Sequence, residues 1–123
     1  WLLTHVHVFA VKRNSADLEA LKEALRRIKL GGGLVVFPEG RRQEKDQVSA
    51  DALPGVGFLA AKSGVAVIPV FIKGTQRALP PGAKFIAPEK ISIIFGEAIH
   101  IEKNMPYRDI AQLVMQRIRS IAG

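Results

Sequence analysis

The chain has 123 residues, 48% of them hydrophobic and 24% charged, which suits one globular domain with a modest core and excludes both two domains and a disordered chain. It has no cysteine, which excludes disulfides and cysteine-held metals, and its longest apolar stretches, such as residues 64–72, are far too short to span a bilayer. A net charge of +7 suits nucleic acid, anionic lipid or a phosphorylated small substrate, so charge alone does not choose among these partners. The chain opens on Trp1 without an initiator methionine and reads as cut from something longer.

Residues 4–11 alternate around β-branched side chains and predict a strand. Asn14 or Ser15 follows as a helix N-cap, with Asp17 and Glu19 placing negative charge in the first turn. Leu18, Leu21, Leu25 and Ile28 recur at helical spacing, and Gly31 closes the helix. Arg26, Arg27 and Lys29 fall in its last turn, where cations are favoured, and read as a solvated face. Residues 34–37, Leu-Val-Val-Phe, are wholly apolar and predict a strand buried on both faces. Strand, helix, strand in succession favours a parallel pair with a right-handed crossover.

Residues 41–52 are polar and aperiodic and read as a loop. Pro54 starts a helix that runs through Phe58, Leu59 and Ala61 to Gly64. Residues 65–72 form a third apolar strand, in which Pro69 marks an edge or a bulge. Residues 79–82 are a turn-rich break, residues 91–95 a further strand stopped by Gly96, and residues 99–101 a short one. The last helix sets Ile110, Leu113, Val114 and Ile121 on one face and Arg108, Gln112, Gln116 and Arg119 on the other.

The segment that carries chemistry is Phe37-Pro38-Glu39-Gly40-Arg41-Arg42. It follows a predicted buried strand, and open α/β sheets place ligands at the carboxyl ends of their strands. Pro38 holds Phe37 extended, and Gly40 permits a turn that a side chain would forbid. Glu39 and two arginines then emerge together, and a guanidinium fork matches phosphate oxygens in a bidentate way. The residues alone support an anion site or, equally, a surface loop with an exposed Glu–Arg pair.

The same segment resembles the F-P-E-G-T-R motif of the glycerol-3-phosphate and 1-acyl-sn-glycerol-3-phosphate (lysophosphatidic acid) acyltransferase family, with Arg41 standing for the family's threonine. Upstream, residues 8–13 resemble the family's second block, a strand ending in a basic residue. Downstream, residues 54–60 look like its small-residue helix start, and residues 67–70 resemble its fourth block, a proline between aliphatics. Lys73-Gly74-Thr75 and residues 95–99 are similar to weaker family features in the right order. The resemblance covers nearly the whole chain, and its specificity lies in the ordered combination of blocks.

The resemblance implies transfer of a fatty acyl group from acyl-CoA or acyl carrier protein, as co-substrate, to a hydroxyl of a glycerol phosphate or its monoacylated form. Arg13 and Arg42 would then hold the acceptor's phosphate, Glu39 and Gly40 would shape the pocket around the glycerol, and Pro69 would fix the strand wall nearby. Arg41 would alter the local hydrogen bonding or add a second cation, and Lys12 is a secondary candidate. The implied location is a membrane surface on its cytoplasmic face, with no further cofactor and no metal.

The family's general base is a histidine followed five positions later by an aspartate that orients it. Five positions after His5, His7 and His100 stand Ala10, Lys12 and Met105, so no catalytic histidine is assigned in this chain, and the family's His–Asp block is expected before Trp1. His5 and His7 share a strand face without an evident third metal ligand and read as structural or surface residues. His100 reads as a surface or partly buried strand residue. Residues 31–33, three glycines, end a helix and begin a strand, the reverse of the strand-to-helix order of phosphate loops.

The expectation is thus a single α/β domain over residues 1–123, a truncated acyltransferase fold with a mixed, largely parallel sheet flanked by helices. The alternative is a non-catalytic phospholipid- or phosphate-binding module of the same fold. Nucleic-acid binding is disfavoured, because Trp1 and Tyr107 are not interleaved with basic residues and no nucleic-acid-recognition pattern appears.

Overall fold

A computed structural model of the chain describes residues 18–39, 54–80 and 82–123. The chain falls into two compact units, Trp1–Val36 and Phe37–Gly123.

In the first unit, helix α1 spans Leu18–Lys29. It ends as the glycines require. Gly31 takes a left-handed φ of 87°, its N–H donates to Ile28 C=O at 3.0 Å, and Gly32 N–H donates to Arg27 C=O at 3.1 Å. These two bonds form a Schellman motif, which satisfies carbonyls the helix leaves open. The deepest residues are Ala20 and Ala24, whereas Leu18 at the start of the leucine stripe is 62% exposed. Small side chains therefore sit at the most buried part of the helix, and the larger ones flank it.

Glu23 gathers the basic last turn. Arg26 donates through Nε and Nη2 to both Glu23 oxygens at 2.8 and 2.7 Å, and Arg27 Nε donates to Oε1 at 2.7 Å. The hydrogen bonds from Arg26, then those from Arg27, lower the Glu23 carboxyl from 4.5 to about 2. The solvated reading of this face thus becomes an ion-pair cluster along the helix, in the favoured order of acid before base.

In the second unit the elements are α2 (Pro54–Ser63), β1 (Val70–Lys73), α3 (Thr75–Ala78), β2 (Ser92–Phe95) and α4 (Tyr107–Ala122). Helix α2 ends at Gly64, whose φ is 67° and whose N–H donates to Ala60 C=O at 3.3 Å, a one-bond left-handed cap. Helix α4 opens after Pro106, which is extended, and Ile110 N–H donates to the Pro106 carbonyl at 3.1 Å. Its buried face is Ile110, Ala111, Val114 and Met115, with Ile110 and Met115 wholly inaccessible. Burying side chains of that size contributes about 1.5–3 kcal/mol each.

Helix α2 packs on α4, and both strands pack on α4. Val56, Leu59 and Ala60 supply the α2 side of the core. The contact is close because of Gly57: a Cβ there would overlap the backbone carbonyl of Tyr107. Next to it, the rings of Phe58 and Tyr107 meet edge-to-face, with centroids 5.5 Å apart.

Strands β1 and β2 are antiparallel, pairing Val70 with Phe95, Phe71 with Ile94, Ile72 with Ile93 and Lys73 with Ser92. A separate antiparallel bridge joins Val67 to Ile99. Between bridge and ladder, Ile68 and Pro69 face three residues, Gly96, Glu97 and Ala98, so the second strand carries a bulge. Pro69 has no N–H to give to a ladder, and the bulge absorbs that lack.

The mixed α/β class holds, with three corrections of detail. The described strand pair is antiparallel, as the connection through α3 turns the chain back alongside β1, while the parallel pair expected of residues 4–11 and 34–37 lies partly outside the described residues. Residues 34–37 form no strand among the described residues, and Val35 and Phe37 are 84% and 69% exposed rather than buried. An apolar run becomes a strand only through hydrogen-bonded neighbours, and the predicted neighbour, residues 4–11, lies outside the described residues. Residues 99–101 reduce to the single bridge at Ile99, and α3 occupies a stretch whose four residues are too few to show a period.

The Glu23 cluster has a defined pH signature. Its folded carboxyl is depressed, so its contribution is complete above pH 4.5 and is lost as pH falls towards about 2. Thermal unfolding of wild type and Glu23→Gln should therefore differ at pH 7 and converge between those values. A difference that persists at pH 2 would assign the role of Glu23 to packing instead of charge.

Candidate functional site

Of the six residues implied as substrate-binding, the structure describes Glu39 and Pro69. Arg13, Gly40, Arg41 and Arg42 lie outside the described residues, as do Lys12, His5 and His7. Pro38 and Glu39 form a turn directly after residues 34–37, and both are half-buried. The turn expected at Gly40 lies outside the described residues, and the apolar run before the motif is not a described strand.

Pro69 is buried, and its surroundings are specific. Its carbonyl accepts the Gly96 N–H at 2.9 Å, at the start of the bulge. Its ring presses on Gly96 so closely that an added Cβ would stand 2.9 Å from Pro69 Cγ and 3.2 Å from Ile121 Cγ2. The strand wall at Pro69 is therefore set by three parts of the chain: the proline ring, the glycine opposite it, and the last turn of α4. Sequence inspection marks Gly96 only as a strand stop. Its packing role had one signal, a glycine directly after a strand of large aliphatics.

His100 is exposed, beside the buried Ile99. No group of three or more His, Asp or Glu among the described residues is placed to hold a metal ion. No helix among the described residues is long and apolar enough to cross a membrane.

Helices packed on a small antiparallel sheet, with a Pro-Glu turn and a buried proline at a bulge, define a mixed α/β protein. The sequence model of the family described as Acyltransferase matches residues 1–73, and the chain belongs to that family. It is 31% identical over 106 residues to a chloroplastic 1-acyl-sn-glycerol-3-phosphate acyltransferase of Arabidopsis thaliana, covering 84% of this chain and 30% of that protein. It is 32% identical over 88 residues to a chloroplastic 1-acyl-sn-glycerol-3-phosphate acyltransferase of Brassica napus, covering 70% of this chain and 25% of that protein. The chain thus spans under a third of the length of these curated relatives. Its fold is similar to the crystal structure of PlsC, the 1-acyl-sn-glycerophosphate acyltransferase of Thermotoga maritima, with a TM-score of 0.68 and 29% identity over 85% of this chain and 43% of that one.

The contact at Pro69 can be tested directly. Gly96→Ala should destabilise the protein by about 1–3 kcal/mol, the usual cost of overpacking, read from urea unfolding. An unshifted midpoint would show that the proline ring yields freely and does not form a fixed wall.

Proposed function

We propose that the protein containing this chain transfers a fatty acyl group from acyl-CoA or acyl carrier protein to a hydroxyl of lysophosphatidic acid or a related glycerol phosphate. The observation that carries the reading is the family match over residues 1–73, a span that includes Arg13, Glu39, Gly40, Arg41, Arg42 and Pro69. In this reading the chain supplies the acceptor-binding part. Arg42 and Arg13 hold the phosphate through paired N–H donors, and such charge-assisted bonds fix orientation as well as charge. Arg41 adds a cation where the family has a threonine. Glu39 and Gly40 border the glycerol, and Pro69 walls the pocket. No metal or further cofactor is needed, since a thioester is already an activated acyl donor.

Chemistry requires a base for the acceptor hydroxyl, and no histidine of this chain has an aspartate five positions on. The reading therefore places the His–Asp pair outside these 123 residues. It places the reaction at a membrane surface, because the product is a lipid, and takes the cytoplasmic face as its site. The alternative reading is a non-catalytic phosphate- or phospholipid-binding module of the same fold that uses the same arginines.

A thiol-release assay with acyl-CoA and lysophosphatidic acid separates these readings when run on residues 1–123 and on the full-length gene product. Turnover by the full-length protein alone is expected. Turnover by the short chain would return the base to His5, His7 or Glu39, and silence of both with phosphate binding intact would favour the module. In the active protein, Arg42→Ala should weaken acceptor binding by about 1.5–3 kcal/mol, the scale of charged hydrogen bonds, and an unchanged KM would remove Arg42 from the site.

A further inference from the structure

Among the described residues, the connection from α3 to β2 is a loop with a closed base and an open tip. At the base, Ala87 N–H donates to the Ala78 carbonyl at 2.7 Å, and Arg77 Nε stands 3.6 Å from Glu89 Oε2. Gly74, left-handed at φ 97°, lies so close under the Lys90 carbonyl that no side chain would fit there. A turn in which Ala83 N–H donates to Pro80 C=O at 3.0 Å leads into the tip. Every residue from 82 to 91 is exposed, and at the tip Phe85 and Ile86 are 84% and 77% exposed.

Single exposed apolar residues are ordinary, but an adjacent aromatic and aliphatic pair at the tip of such a loop presents a patch of apolar area that the described residues leave uncovered. The local charge says what kind of surface would receive it. Residues 54–96 hold five cations, Lys62, Lys73, Arg77, Lys84 and Lys90, against one acid, Glu89, which Arg77 already engages. Lys84 directly precedes the apolar pair and Lys90 follows it at the base of the loop, and neither makes an ion pair among the described residues.

We propose that Phe85 and Ile86, together with Lys84 and Lys90, form an interfacial wedge that docks the protein on an anionic phospholipid bilayer. The apolar pair enters the boundary between headgroups and acyl chains while the lysines stay at headgroup level and meet lipid phosphates. Neither element suffices alone, since stable attachment takes an apolar and a basic contribution together. This inference names the surface contact of the proposed function and rests on that reading.

The test is co-sedimentation of the full-length protein with vesicles of phosphatidylcholine mixed with phosphatidylglycerol, at several salt concentrations. Phe85→Ser with Ile86→Ser should lower partitioning about tenfold. Lys84→Glu with Lys90→Glu should lower it by a similar factor and flatten its salt dependence. All four residues are exposed, so the unfolding midpoint should stay at the wild-type value. Unchanged partitioning of the serine pair overturns the wedge, whatever the charge-reversed pair does. Acyl transfer to a short-chain, water-soluble lysophosphatidic acid, measured in parallel, reports on the acyltransferase reading separately. Failure of the wild type to bind any vesicle overturns the wedge even if that transfer proceeds.

Discussion

The close approach of α2 to α4 is the constraint on which the second unit depends. Gly57 has no side chain, and the Tyr107 carbonyl occupies the space that one would fill. Because the two backbones meet there, Val56, Leu59 and Ala60 reach the face of Ile110, Ala111, Val114 and Met115, and the core closes without large aromatic side chains. The same helix α4 receives β1 and β2, so the position of the sheet follows from the seating of the helix pair. A buried apolar face shared by three elements ties their stabilities together.

Pro69 shows how that frame passes to the candidate site. A proline cannot donate to a ladder, yet this one is buried and paired through its carbonyl. The structure accommodates it by setting three residues against two on the facing strand and by leaving Gly96 bare where the ring and Ile121 converge. The last turn of α4 thereby bears on the strand that carries the family's proline block, although the two are some fifty positions apart in the chain.

The excess of positive charge is not one surface with one use. Arg26 and Arg27 are committed to Glu23, which holds them along their own helix. Arg77 is engaged by Glu89 at the base of a loop. Lys84 and Lys90 stand beside exposed apolar side chains, where solvated cations and apolar area form a surface of a different kind. These local arrangements differ in kind, and a net charge of +7 sums over them and the remaining charged residues, so it does not discriminate among partners.

What the sequence determined by itself was local or ordered along the chain. The helices are legible because apolar spacing and the glycines at 31 and 64 act within a turn or two of where they stand. The resemblance to the family lies in the order of short blocks along the chain, and Pro38 and Glu39 form a turn. Tertiary structure decided what depends on partners far away in sequence: the antiparallel pairing of β1 with β2, the bulge opposite Pro69, the exposure of residues 35–37, and the use of Gly57 and Gly96 as points of close approach. Strand direction and strand burial are properties of pairs, and a pattern along one segment contains no information about its neighbour's direction or distance.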